Sequence, residues 1–239
     1  MRREEAAWIG DQLRGFDPQE ISPLLELGSA TAHFRTVFKP HIDQKIHAPL
    51  RERNIVIVHS DAKNGDGVDI SGDFRSEAVQ AQLAGVGARC VLCCNMFEHV
   101  EDRAELARLC SDALAPGGIL IVTVPRSYPY HLDPIDTYYR PSPKDVAAMF
   151  PGFTLLAATS IEAGNYWEDI RTADNFALEL VRTAAKVVLP LGGLEMWKSR
   201  LHKFLWLARP YVVAAVVLRK AGAAETVTAS FELEPVKTN

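Results

Sequence analysis

Residues 24–34, "LLELGSATAHF", bring an acid, a glycine and a hydroxyl into one turn as Glu26, Gly28 and Ser29. A turn that cradles a nucleotide repeats glycine at alternate positions, so that its backbone can press against the ligand and take up positive φ. Here those positions read Ala30 and Ala32. The stretch is a damaged cofactor loop, a variant that still works, or a strand followed by a helix. A second chemistry is suggested by Cys90 and Cys93, a C-x-x-C spacing that suits zinc or thiol redox work. They lie in "RCVLCCN", which reads as a strand, and strand residues three apart point to opposite faces. With Cys94 and Cys110 the remaining cysteines, no second pair completes a metal site. Reduced core thiols are expected, and no metal.

The elements that must position these groups follow from apolar periodicity. "PLLELG" (23–28) precedes a helical stretch near 30–39. "NIVIVHSD" (54–61) is a β-branched run that ends on Asp61 and meets the turn-rich "AKNGDG". "GVDISGDF" (67–74) is another short run, and "SEAVQAQLA" reads as a helix. "ARCVLCCN" (88–95) is strand-like, "DRAELARLCSDAL" (102–114) is an amphipathic helix stopped by "PGG", and "ILIVTVP" (119–125) is a fully apolar strand. Continuous apolar strands separated by helices predict an α/β doubly wound, mostly parallel, seven-stranded Rossmann-like sheet covered on both faces. Its ligands belong beyond the carboxyl ends of the strands.

Strand candidates at 153–161 and 210–220 enclose a long, mostly helical segment, about residues 165–208, read as an insertion before the last strand. Leu194, Trp197, Leu201, Phe204, Leu205 and Ala208 recur there at helical spacing, giving one apolar face. That face packs on the sheet, closes over the acceptor as a lid, makes a homodimer contact, or lies on an anionic membrane surface. The lid is preferred, because no separate N-terminal cap is evident to shape an acceptor site. With 239 residues, 48% of them hydrophobic, the chain suits a single domain spanning 1–239. Its core covers about 22–161 and 209–220. A formal charge of −4 argues against a nucleic-acid partner. "MRREEAAWIGDQL" lacks the apolar core of a signal peptide, and "YVVAAVVL" is too short to span a bilayer, so a cytoplasmic protein without a transmembrane segment is expected.

The order of these residues resembles the class I S-adenosylmethionine-dependent methyltransferase family. The likeness is carried by "VLCCNMFEHVEDRAELARLCSDALAPGGILIVTVP" (91–125): a strand, an Asn-x-x-Glu-His-Val turn, a helix, a Pro-Gly-Gly stop and the next strand. "YPYHLDPIDTYYRPSPKDVAAMF" also resembles members linked to bacterial glycan and small-metabolite methylation. The resemblance implies the cofactor S-adenosyl-L-methionine, whose methyl is already electrophilic, so the protein must hold donor and acceptor in line. It implies that Asp61, with Asp69 as rival, receives the ribose hydroxyls. Asp73 receives the adenine amino group, with Phe74 stacking on the ring. Asn95, Met96 and Phe97 lie over the sugar and the methionine arm. Glu26 and Gly28 keep the family's first loop, and Ser29 and Thr31 add donors for a carboxylate. Each residue has a plain alternative: aspartates form turns, Glu98 is a helix-entry acid, and Phe97 is core.

A hydroxyl acceptor needs a base that works near neutral pH, and His131 in "YPYHLDPID" occupies the rim. Asp133 or Asp136 would orient it, and Arg140 or Tyr130 would bind an acidic or sugar substrate. His99 competes, although it suits support of the cofactor loop better. The expected function is methylation, at oxygen, of a small molecule or glycan intermediate. The alternative is a methyltransferase-like pseudoenzyme or cofactor-binding interaction module. A dinucleotide-binding Rossmann protein is disfavoured, because no G-x-G-x-x-G follows the first strand.

Overall fold

A strand that is apolar at nearly every position needs cover on both faces, and residues 24–27, 88–94 and 119–124 are of that kind. In the computed structural model, which describes residues 1–130, 135–172, 175–188 and 201–222, they form the middle of a seven-stranded sheet. Helix α1 (Arg3–Arg14) and the single turn α2 (Pro18–Ile21) lead into β1 (Leu24–Leu27). A winding helical segment follows: a π-helical turn at Phe34–Phe38, α3 (Pro40–Ile42), a second π-helical turn at Asp43–His47, and α4 (Ala48–Glu52). Next come β2 (Ile57–Asp61), β3 (Ile70–Ser71), α5 (Glu77–Gly85), β4 (Ala88–Cys94), α6 (Arg103–Asp112) and β5 (Leu114–Ser127). The later elements are α7 (Pro143–Ala148), β6 (Phe153–Glu162), α8 (Tyr166–Arg171), α9 (Phe176–Val188) and β7 (Val212–Lys220).

The strand order is β3-β2-β1-β4-β5-β7-β6. All pairs are parallel except those of β7, which runs antiparallel to both neighbours. This is the doubly wound sheet expected, with its helical insertion before the last strand. Alternate residues divide between two cores. Leu25, Val91, Cys93, Leu120 and Val122 pack with α5 and α6 through Leu83, Leu106 and Leu109. Leu24, Cys90, Leu92, Ile119 and Ile121 pack with α1 through Ala6, Ile9 and Leu13. Cys90 and Cys93 therefore face opposite sides, and all four cysteines are free, as the strand reading required.

Several boundaries differ from the sequence expectation for local reasons. Helix α6 starts where Asp102 accepts a hydrogen bond from the Glu105 amide at 2.9 Å, and it ends at Asp112. Strand β5 begins at once with Leu114, so Pro116–Gly118 lie inside a strand rather than stopping a helix. The run at 67–74 contracts to Ile70–Ser71. Helix α1 was not foreseen; it crosses close to the second π-helical turn because Gly10 has no side chain, and a Cβ there would meet the Lys45 carbonyl oxygen.

The insertion is tied down through aromatic packing and one ion pair. Ala163, Tyr166, Ile170, Trp206 and Tyr211 form a cluster of their own. Trp206 donates its indole N–H to Ser127 Oγ at 3.1 Å. Arg2 bridges α1 to this cluster, pairing with Asp169 at 2.7 Å and lying over the Tyr211 ring. Leu194 and Trp197 of the expected apolar face lie outside the described residues. Phe204 of that face packs on the aromatic cluster and Trp206 beside it is buried, while Leu205 is half exposed. Helix α9 leaves Phe176, Leu178, Leu180 and Val181 exposed. Among the described residues, no helix is long and apolar enough to cross a membrane. Replacing Trp206 by Ala should cost about 3 kcal/mol, and Leu205→Ala no more than about 0.5 kcal/mol, measured as urea unfolding midpoints. Equal costs would contradict this orientation.

Candidate functional site

Strands β1 and β4 are neighbours whose following connections leave in opposite directions, and such a reversal opens a crevice at the carboxyl ends. A cavity of about 770 Å³ lies there. Its walls come from the end of β1 (Glu26–Thr31), the end of β2 (Asp61–Lys63), the turn after β4 (Asn95, Glu98, His99), and the end of β5 with Tyr128–Tyr130. Arg2 and Glu5 of the α1 region and Lys203 of the insertion border it too. Helix α1, packed on the sheet through Ala6, Ile9 and Leu13, brings these N-terminal groups to the cavity.

The first loop is formed without the usual glycines. Gly28 has φ of 70° and sits so close to Met96 that a Cβ would lie 2.9 Å from its Sδ. Ala30 itself adopts φ of 55°, a left-handed conformation that costs an L-residue roughly 1–2 kcal/mol. Pins from outside the loop offset that strain. The Ala30 amide donates to Asp61 Oδ2 at 2.9 Å, and the Lys63 amide donates to Asp61 Oδ1 at 2.9 Å. Buried Arg35 donates from behind to the carbonyls of Ala30 at 2.5 Å, Ser29 at 3.3 Å and Gly67 at 2.8 Å. Asp61 thus holds the loop as well as bordering the cavity, and it is the partner that makes the variant turn stand.

Three acids around the cavity are buried: Glu5 and Glu98 at 0% exposure and Glu26 at 5%. Glu5 accepts from Asn95 Nδ2 at 2.8 Å, Thr123 Oγ1 at 2.6 Å and the Arg2 amide at 3.0 Å, tying α1 to the ends of β4 and β5. Glu26 faces His47 Nε2 at 3.1 Å and His59 Nδ1 at 2.8 Å. Burial raises its pKa, but the two imidazoles outweigh that and hold it at about 2. Glu98 is different: neither carboxylate oxygen has a hydrogen-bond partner among the described residues. His99 Nε2 stands 3.6 Å from Glu98 Oε1, while His99 Nδ1 donates to the Ile135 carbonyl at 2.5 Å. Burial pushes the Glu98 carboxyl up to about 8. A buried group whose pKa lies near neutrality and which borders a cavity is equipped for proton transfer.

Of the residues singled out in the sequence, Glu26, Gly28, Ser29, Asp61 and Asn95 meet at the cavity, and Asn95 takes φ of 53° there. Met96 lies beneath Gly28, and Phe97 is core, packed edge to face on Phe150. Asp73 and Phe74 do not border the cavity. The Asp73 carboxylate is gripped by Arg75 Nε at 3.1 Å and Nη2 at 2.8 Å, which holds its pKa at about 2. Asp69 accepts from the His59 amide at 2.8 Å, a turn role. Asp136 pairs with Arg140 at 2.6 Å, and Tyr130 borders the cavity, stacked on Tyr138. His131 and Asp133 lie outside the described residues. Glu5, Glu98, His47 and His59 were not singled out as site residues; Glu98 stood in the "NMFEHV" turn, but sequence carries no sign that a carboxyl lacks partners.

Two outcomes test this geometry. Ala30→Gly should leave the protein at least as stable, because it relieves the left-handed strain, whereas Asp61→Ala should cost roughly 1–3 kcal/mol. Denaturant titration of both variants checks this; a clear loss in Ala30→Gly would contradict it. Glu98 has an ordinary value of 4.5 when unfolded and about 8 when folded. The stability tied to its proton is fully present below 4.5 and is lost as pH rises through about 8. Glu98→Gln should therefore gain stability relative to the native chain between pH 5 and 8, read from unfolding midpoints across that range.

No protein-family model matches the sequence, and no curated protein matches it. Solved structures are similar in fold. Coclaurine N-methyltransferase, bound to N-methylheliamine and SAH, is 16% identical over 90% of this chain and 72% of that one, with a TM-score of 0.44. A SAM-dependent methyltransferase from Archaeoglobus fulgidus is 13% identical over 90% and 94%, with a TM-score of 0.49. The [4+2]-cyclase SpnF is 14% identical over 91% and 81%, with a TM-score of 0.48. With seven strands in the order described and the reversed strand β7, the chain has a doubly wound Rossmann-like fold.

Proposed function

We propose that this chain is an S-adenosylmethionine-dependent methyltransferase acting on a small molecule or glycan intermediate, with oxygen as the methyl acceptor. One observation carries the reading: the Asp61-pinned loop and the buried Glu98, which has no hydrogen-bond partner among the described residues, border the same cavity. The residues present suit the cofactor. The Asp61 carboxylate accepts two amide hydrogen bonds and keeps acceptor capacity for ribose hydroxyls. Gly28 leaves the backbone bare at the cavity wall, and Arg2, Lys39, Lys63 and Lys203 offer cations to an amino-acid carboxylate. When bound, S-adenosylmethionine supplies an electrophilic methyl on a sulfonium.

The chain's own residues then have three tasks. Asp61 and the loop it pins orient the ribose. The α1 cap and the insertion border the acceptor space and restrict water. Glu98, as carboxylate, accepts the proton that the acceptor hydroxyl gives up. A carboxyl held near 8 is a far stronger base than an ordinary one, at the cost of being largely protonated below that pH. This gives to Glu98 the role that sequence reasoning gave to His131.

Calorimetric titration with S-adenosylmethionine and S-adenosylhomocysteine tests the cofactor. Binding should weaken roughly ten- to a hundredfold in Asp61→Ala, and the absence of heat and thermal shift in folded native protein would overturn the reading. With an acceptor in hand, Glu98→Gln should lower turnover by about two to four orders of magnitude while cofactor affinity is retained. The native rate should rise with pH through about 8, and that limb should vanish in the variant.

A further inference from the structure

Glu26, His47 and His59 converge from the end of β1, the second π-helical turn and β2. One ligand atom from each lies within 4.8 Å of the others. Glu26 Oε2 is 3.1 Å from His47 Nε2 and 2.8 Å from His59 Nδ1, and the imidazoles meet edge to face with centroids 4.9 Å apart. A divalent transition-metal ion holds nitrogen and oxygen ligands at about 2.0–2.2 Å, which sets neighbouring ligand atoms roughly 3 Å apart. The two separations from Glu26 already have that length.

The two imidazoles meet the carboxylate differently. His59 is aligned with it for a hydrogen bond. His47, 1% exposed, stands 3.1 Å from the same Oε2 with its buried Nε2 out of hydrogen-bond alignment. A cation between the three side chains would use the lone pair of that nitrogen. On the far side of the ring, His47 Nδ1 looks toward Asp43 Oδ1 at 4.0 Å, and Arg51 holds Asp43 at 2.9 Å. A carboxylate behind a histidine is the usual outer support of a metal-bound imidazole.

We propose that Glu26, His47 and His59 form a binding site for a divalent transition-metal ion of the zinc type in the wall of the cavity. Two imidazoles and a carboxylate favour such an ion over magnesium or calcium, which prefer all-oxygen surroundings. Three protein ligands leave a coordination position for water, and Glu26 sets the ion beside the cavity. The site does not rest on the methyltransferase reading and holds or fails independently of it.

The test uses the full chain without a histidine tag, dialysed against chelator and titrated with Co²⁺ as a spectroscopic probe and with Zn²⁺ by calorimetry. The expected result is one equivalent per chain, visible absorption typical of four- or five-coordinate Co²⁺, loss of that absorption on adding Zn²⁺, and a rise in Tm that Mg²⁺ does not reproduce. His59→Ala, checked for folding by circular dichroism, should weaken Zn²⁺ binding at least tenfold. Absence of binding to the folded native chain at about 100 µM metal would overturn the proposal, whatever the variant does. Unchanged binding in a folded His59→Ala protein would overturn it as well.

Discussion

Three carboxylates are withdrawn from water around one cavity, and each meets the cost of desolvation differently. Glu5 collects three donors, from Asn95, Thr123 and the Arg2 amide. Glu26 collects two imidazoles. Glu98 has no hydrogen-bond partner among the described residues, and burial raises its pKa to about 8. Much of the architecture around the site follows from those solutions. The Glu5 contacts fix α1 across the ends of β4 and β5. The helical segment at 34–52 must wind as it does to bring His47 against β1, and Gly10 lets α1 lie close beside it. The turn after β4 holds the acid with His99 beside it at 3.6 Å but with no hydrogen bond to either oxygen among the described residues.

The sheet was legible because its signals are local. Near-continuous apolar runs, separated by amphipathic stretches and glycine or proline turns, specify the strands without knowledge of their neighbours. The opposite facing of Cys90 and Cys93 follows from strand periodicity alone. The misses have physical causes. The charges of "MRREEAAWIGDQL" mask the apolar spacing of Ala6, Ile9 and Leu13 that docks α1 on the sheet. In the insertion, helical spacing pointed toward Leu205, whereas the indole of Trp206 finds both an aromatic cluster and Ser127.

The site was legible where topology alone determines position. Glu26, Gly28, Asp61 and Asn95 stand at strand ends, and strand ends converge in this fold. Asp73 shows the limit of that argument, for Arg75 two residues on takes its carboxylate, a competitor visible in "GDFR" but not weighed. Glu98, His47 and His59 could not be read, because their character comes from what surrounds them. Burial raises the pKa of one of them, and the meeting of three elements makes the others a cluster.

The loop at Ala30 has a genetic consequence. Its conformation is imposed across the sheet by residue 61 rather than written into the loop's own glycines, so two positions far apart in the chain share one energetic term. Losing the carboxylate should hurt less when residue 30 is glycine than when it is alanine, a coupling that double-mutant cycles measure as non-additivity. Under drift the two sites would then be epistatic. Glycine at 30 removes one of the demands on residue 61, while alanine at 30 adds to them, and a lineage would pass more readily between glycine-rich and glycine-poor forms of this turn in one order than in the other.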